Sequence, residues 1–341
     1  MMLLKPATED ELAAMLGESE RVAVSGGGRQ RARWPEPPAG ATRLSLADLP
    51  PTIDLNAANL TVRAAASVRL PDLQDRLRAE GFWYPPAAGD TGASTVGGHV
   101  AGATAGTRRS DGAVRDWVLG VRALLADGRT VRAGGEMIKN VAGYDLVRLF
   151  TGSGGTLGVL AAVAMRVAPV PAFTATHICD FVTADAAASA AQPFLRWPDG
   201  PVAAEVVPSP DGWRLLTRWE GDAEDVAEAI SRFRPGAILI GGEADAPWRE
   251  RDARLFGAPH HAEVAVPLSG VIAAWHTCEQ ALRGREWYGT LQPLAGVIHI
   301  ALPAPADLPD GARWRSRPPS LDGPLAARVR AALDPLRRFL P

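Results

Sequence analysis

Cysteine is almost missing from this 341-residue chain: Cys179 and Cys278 are the only two. Two thiols so far apart exclude a Cys-rich zinc site and a Cys-ligated iron–sulfur cluster, and they read as buried, inert side chains. Lysine is scarcer still in proportion, with Lys5 and Lys139 alone, so nearly all positive charge is arginine. Net charge is −2, which leaves no basic surface for nucleic acid. The six histidines show no metal-ligand spacing, and the adjacent His260-His261 read as loop. No metal site is expected. Long apolar runs are lacking too: the longest weakly polar stretch, residues 152–165, is glycine-rich and shorter than a membrane span. Lys5, Glu9, Asp10 and Glu11 interrupt the N-terminus too early for a signal peptide. These absences predict a cytoplasmic protein with no transmembrane segment.

What is present is glycine and proline, 35 and 29 residues, in a chain 47% apolar and 22% charged. That composition fits a globular protein of two or three domains with many turns. The pattern changes near Pro169-Val170-Pro171. Glycine-rich loops dominate before it, and seven of the ten tryptophans come after it. The expected division is 1–170, 172–324 and a returning C-terminal helix and tail at 325–341.

In the first part the spacing predicts a helix over 8–15, opened by Thr8 and Glu11 at capping-box spacing. Strands are expected at 21–25, 53–55, 60–66 and 157–167, and a helix at 70–79. Asp127-Gly128 marks a hairpin between 118–126 and 129–133. In the second part strands are expected at 176–182, 202–207, 213–219, 237–240, 263–266 and 296–302. Helices are expected at 184–195, 223–233, 268–282 and 325–333, with a proline-rich loop over 303–324. Strands and helices mixed without a βαβ rhythm place the fold in the α+β class.

Three segments carry chemistry. The first is Ser25-Gly26-Gly27-Gly28-Arg29-Gln30, where consecutive glycines after a strand let backbone N–H groups form a nest for phosphate oxygens. A plain tight turn is the alternative. A Rossmann fingerprint is excluded, because Arg31 stands where its last glycine belongs. The second segment runs from Pro85 to Gly106 and is built of Gly, Ala, Ser and Thr, including Thr91, Gly92, Ser94, Thr95, Val96, Gly97, Gly98, His99, Thr104 and Gly106. Such residues are expected to wrap a ligand rather than form a core element, and their hydroxyls and N–H groups suit a phosphate–ribityl chain. In the third segment, Lys139, Asn140 and Tyr144 precede an apolar helix start, followed by Gly152 to Leu160 with Gly158 and Val159. Polar groups beside an apolar helix suit a cofactor edge.

Taken in order over residues 21–168, these motifs resemble the FAD-binding domain of the vanillyl-alcohol oxidase / p-cresol methylhydroxylase family. Ser94–Gly106, Gly112–Arg122 and Lys139–Asp145 are similar to the FAD-binding E subunits of bacterial glycolate oxidases. The tail from Leu333-Asp334-Pro335 is similar to the family's terminal signature. The resemblance implies two α+β subdomains clamping FAD and a smaller α+β cap. It places Ser25–Gln30 in a first pyrophosphate loop, and Thr91–His99 with residues 103–106 in a second loop and flavin wall. Asn140 falls at the cofactor edge, and Gly158 and Val159 near the adenine. No His or Cys occupies the first loop, so the FAD is expected to be non-covalent. The cap segment 292–300 lacks the family's Gly-Asp-Gly-Asn run and keeps His299 alone, leaving Tyr144 and His299 as candidate bases. The implied activity is glycolate oxidation within a complex that includes a larger FAD-containing catalytic subunit and an iron–sulfur subunit. Those partners would set any peripheral attachment to the inner membrane. Two alternatives stand beside it: a free-standing FAD-dependent 2-hydroxy acid or alcohol oxidoreductase, and a non-catalytic subunit that holds FAD or relays electrons.

Overall fold

The computed structural model describes residues 2–27, 38–87, 94–103, 108, 112–135, 145–309, 312–314 and 324–340. The chain divides into two compact units. Met1–Ala105, Ala113–Val170 and Arg317–Pro341 form the first, and Gly106–Gly112 with Pro171–Ser316 the second.

The first unit opens with β1 (Leu3–Leu4), α1 (Glu9–Glu18), β2 (Val22–Ser25) and β3 (Thr42–Ser45). Thr8 caps α1 by accepting from Glu11 N at 3.1 Å. The return bond of the expected capping box shifts by one residue: the Glu11 carboxylate accepts from Ala7 N instead of Thr8 N. A second set follows: β4 (Ile53–Asn56), β5 (Thr61–Ala65), α2 (Leu70–Arg78), β6 (Phe82–Trp83) and α3 (Val96–Gly102). It continues with β7 (Val118–Leu124), β8 (Thr130–Gly134), α4 (Leu146–Phe150), β9 (Val159–Arg166) and β10 (Ala168–Pro169). An antiparallel sheet in the order β4-β5-β9-β7-β8 carries most of the core, with Leu70, Leu73 and Leu77 of α2 buried in the same cluster. Gly128 turns the β7–β8 hairpin at φ +81°, as Asp127-Gly128 predicts.

The second unit contains β11 (Phe173–Phe181), α5 (Ala184–Ala191), β12 (Ala203–Ser209), β13 (Gly212–Gly221), α6 (Ala223–Ser231) and β14 (Ala237–Ile240). After these come α7 (Ala246–Gly257), β15 (His260–Ala265), α8 (Val271–Ala281), β16 (Tyr288–Gln292), β17 (Val297–Leu302) and β18 (Ala312–Trp314). Its strands join in one antiparallel sheet, β14-β11-β13-β12-β16-β17-β15-β18. The two cysteines are buried and unbridged, and burial pushes both thiols up to about 11.

Four expectations are corrected. His260-His261 lie in β15, not in a loop, with His261 buried. The stretch 303–324 contains β18 and the first residue of α9 (Pro324–Leu333). Helix α7 and strand β16 are present where none was expected. The fourth correction concerns the small-residue segment, which does form a core element: Val96, Gly97, His99 and Val100 of α3 are buried.

After α9 the chain closes with β19 (Phe339–Leu340), which pairs parallel to β2 and completes the sheet order β1-β3-β2-β19 in the first unit. The wholly buried Asp334 carboxylate accepts from Arg338 N at 2.9 Å and Phe339 N at 3.0 Å. Arg338 Nη1 then donates to the carbonyls of Leu16, Gly17 and Ala126. Asp334→Ala leaves two backbone donors unpaired where charge-assisted bonds stood, a loss of about 3 kcal/mol. A lowered urea midpoint with an unchanged slope is the expected result, and an unaltered midpoint would refute the role.

Candidate functional site

Two of the glycine-rich segments meet in the first unit. At the end of β2, a Cβ built on Gly26 would stand 2.2 Å from Thr95 Oγ1, so only glycine allows this approach. Thr95 is the N-cap of α3, and its hydroxyl accepts from Gly98 N at 3.2 Å. The remaining N–H groups of that first turn are also engaged. Val96 N donates to Val68 O at 2.8 Å, Gly97 N to Ala66 O at 3.0 Å and His99 N to Thr95 O at 2.8 Å. Gly97 is therefore a packing glycine: its Cβ would stand 2.7 Å from Ala66 Cβ. Within the second loop, residues 96–99 use their backbone donors inside the unit.

The third segment docks on the other end of α3. Ala103 ends the helix in the left-handed region at φ +46°, Gly152 N donates to Val100 O and Gly154 N to Ala101 O, both at 2.9 Å. Gly158 and Val159 lie at the start of β9 and are buried, and a Cβ on Gly158 would stand 2.9 Å from Leu124 O. Their close packing joins β9 to β7.

One cluster escaped the sequence reading. Tyr84 is wholly buried, and its ring meets His99 edge-on at 5.6 Å and Trp117 at 6.3 Å. The Gln74 side chain holds the Tyr84 backbone from both sides, donating to its carbonyl at 2.7 Å and accepting from its N–H at 3.0 Å. Only the Pro85-Pro86 that follows signals a fixed conformation there.

Of the other site residues expected, Gly28, Arg29, Gln30, Thr91, Gly92, Thr104, Gly106, Asn140 and Tyr144 lie outside the described residues. Ser25 and Gly27 flank Gly26, and Ser94 precedes Thr95 as a buried hydroxyl. His299 belongs to the second unit. It sits buried on β17, with Nδ1 3.8 Å from Glu263 Oε2 and its ring 5.4 Å from that of His261. Two strands along the sheet, β12 carries Glu205, whose fully buried carboxylate accepts from Arg251 Nε at 2.8 Å, Arg251 Nη2, the Thr290 hydroxyl and Gln292 Nε2 at 3.0 Å.

The residues present fit a dinucleotide flavin. A glycine with no room for a side chain abuts a buried Ser-Thr pair at a capped helix, and a rigid aromatic lies beside that helix. The Gly26–Thr95 approach is open to test. Gly26→Ala and Thr95→Ala are expected to be strongly non-additive, because removing Oγ1 relieves the clash the new Cβ creates. The Gly26→Ala single variant is expected to lose flavin, and the double variant to regain part of it. Additive losses in a flavin titration would separate the two residues.

Residues 2–134 match the family described as FAD binding domain. The chain is 30% identical over 212 residues to the glycolate oxidase subunit GlcD of Bacillus subtilis (strain 168), covering 61% of this chain and 44% of that protein. It is 42% identical over 123 residues to the glycolate oxidase subunit GlcE of Escherichia coli (strain K12), covering 35% of each. With the D-lactate dehydrogenase of Archaeoglobus fulgidus it shares 34% over 173 residues, 49% of this chain and 39% of that one. The chain thus spans less than half the length of these relatives. Among solved structures, an alkyldihydroxyacetonephosphate synthase superposes with a TM-score of 0.70 at 14% identity, over 98% of this chain and 74% of the other, which shows the fold. The resemblance read from the loops and the family match agree on an FAD binding domain over residues 2–134.

Proposed function

We propose that this chain holds FAD without a covalent link and serves as the FAD-binding subunit of a glycolate oxidase complex. The similarity to the GlcE subunit carries this reading: at 42% it is concentrated in a short span rather than spread over a whole enzyme. In that reaction glycolate loses a hydride from its C2 and a proton from its hydroxyl to become glyoxylate, and bound FAD supplies the hydride acceptor. In this reading residues 1–170 form the FAD-binding domain, 172–324 a reduced cap, and 325–341 a tail that returns to the first. Ser25, Gly26 and Gly27 bring backbone to the cofactor, with Gly28, Arg29 and Gln30 continuing the loop. Thr91, Gly92, Ser94, Thr95, Thr104 and Gly106 provide hydroxyls and close approach. Val96, Gly97, Gly98 and His99 shape the wall through α3. Asn140, Gly158 and Val159 complete the set.

Tyr144 and His299 remain the candidates for a base on this chain. His299, buried against Glu263 in mid-strand, suits orientation better than proton transfer to solvent. The complete substrate site is assigned to a larger FAD-containing subunit, and onward electron flow to an iron–sulfur subunit. The assembly is placed in the cytoplasm or at the inner face of the membrane through those partners. Similarity to D-lactate dehydrogenase supports the second reading, a free-standing 2-hydroxy acid oxidoreductase.

The visible spectrum of the purified chain, before and after anaerobic glycolate, separates these readings. Flavin absorption that acid releases, with no bleaching by glycolate until the partner subunits are added, is the expected result. Bleaching by glycolate in the chain alone would replace the subunit reading with the free-standing one. A flavin that stays oxidised even in the assembled complex would leave only a structural role. A colourless chain that takes up no added FAD would overturn the loop assignments.

A further inference from the structure

In the first unit, several internal hydroxyls find partners close at hand, whereas the small Ser67 hydroxyl, like that of Tyr84, meets none among the described residues. Ser19 Oγ donates to Met15 O, Thr151 Oγ1 to Val147 O and Thr156 Oγ1 to Ser153 O, at 2.7, 2.9 and 2.7 Å. Tyr84 differs. Its side chain has no exposure to solvent, and its hydroxyl meets no hydrogen-bond partner among the described residues. A buried hydroxyl left in that state costs about 1–3 kcal/mol. Among the described residues the contacts with His99 and Trp117 are made by the ring, which a phenylalanine would also supply.

The surroundings hold this hydroxyl in one place. Gln74 fixes the backbone, and His99, four residues beyond Thr95 in the same capped helix, flanks the ring. Thr95 in turn touches the Gly26 position. A continuous set of contacts therefore joins the Tyr84 ring to the point where the first two glycine segments meet. Burial raises the phenol far above its ordinary range, so the group stays a neutral donor at any working pH.

We infer that Tyr84 is an FAD-binding residue whose hydroxyl donates a hydrogen bond to the bound cofactor. The inference rests on the FAD-binding reading of this unit and adds a residue to it. Without cofactor the hydroxyl is an unpaired buried donor, and loading removes that penalty.

Tyr84→Phe tests this, using the flavin-stripped full chain, FAD titrated by quenching of its fluorescence, and thermal unfolding of the apo form. The expected result is an apo variant at least as stable as wild type, with the FAD dissociation constant raised about tenfold, the loss of one hydrogen bond. Unchanged FAD affinity would make Tyr84 a packing residue and overturn the inference. Lower apo stability would reveal a partner within the protein and overturn it equally. If wild-type apoprotein takes up no FAD, the cofactor reading itself fails, and this inference with it.

Discussion

The approach of the first turn of α3 to the chain leaving β5 governs the first unit. Gly97 lies so near Ala66 that any side chain would collide with it, and the two backbones join through Gly97 N to Ala66 O and Val96 N to Val68 O. Leu70 N donates to Ser94 O on the same seam, and Arg69 bridges Thr95. The arrangement consumes the donors that a helix start ordinarily presents to an anion. In exchange α3 becomes a rigid post. Its cap sets Thr95 beneath Gly26, its middle sets His99 against Tyr84, and its last turn receives Gly152 and Gly154. Three segments far apart in sequence are thus ordered by one helix of seven residues.

The tail performs a related service for β2. A strand at a sheet edge frays, whereas β2 is held between β3 and β19. Asp334 turns the chain into β19 by accepting two backbone N–H groups, and Arg337 takes a left-handed conformation at φ +51° within that turn. Arg338 then ties the end of α1 and the β7–β8 hairpin to the same point. β19 pairs with Val22 and Ala23, and β3 pairs with β2 up to Ser25, where the glycine run begins. The Asp-Pro of the tail is therefore a clamp rather than a ligand.

Much of this was legible in the residues because periodicity and turn chemistry agreed with the final packing. Helix α2 with Leu70, Leu73 and Leu77, the Asp127-Gly128 hairpin and β14 at 237–240 all lie where pattern places them. The failures share a cause, which is polar or small residues in buried positions. Helix α7 hides its period because Arg251 and Asp252 occupy its buried face beside Trp248 and Leu255. Strand β16 alternates Leu291 with Thr290 and Gln292, which are buried for hydrogen bonding rather than for apolar area. Helix α3 escapes because its glycines serve close approach, a need that no local pattern announces. Tyr84 gives no periodic signal at all, since its distinction is a hydroxyl without a partner.

The polar interior of the second unit also limits where acid–base chemistry can reside. Glu205 is the natural candidate for a general base by burial alone. Its Oε1 already accepts from Arg251 twice and from Thr290, and its Oε2 accepts from Gln292. Taking a substrate proton would strip the buried Arg251 guanidinium of this counter-charge, a step that costs several kcal/mol in a buried pair. Glu205 is thus better understood as the lock that lets α7 bury an arginine against the sheet. A carboxylate paired in this way is a structural group.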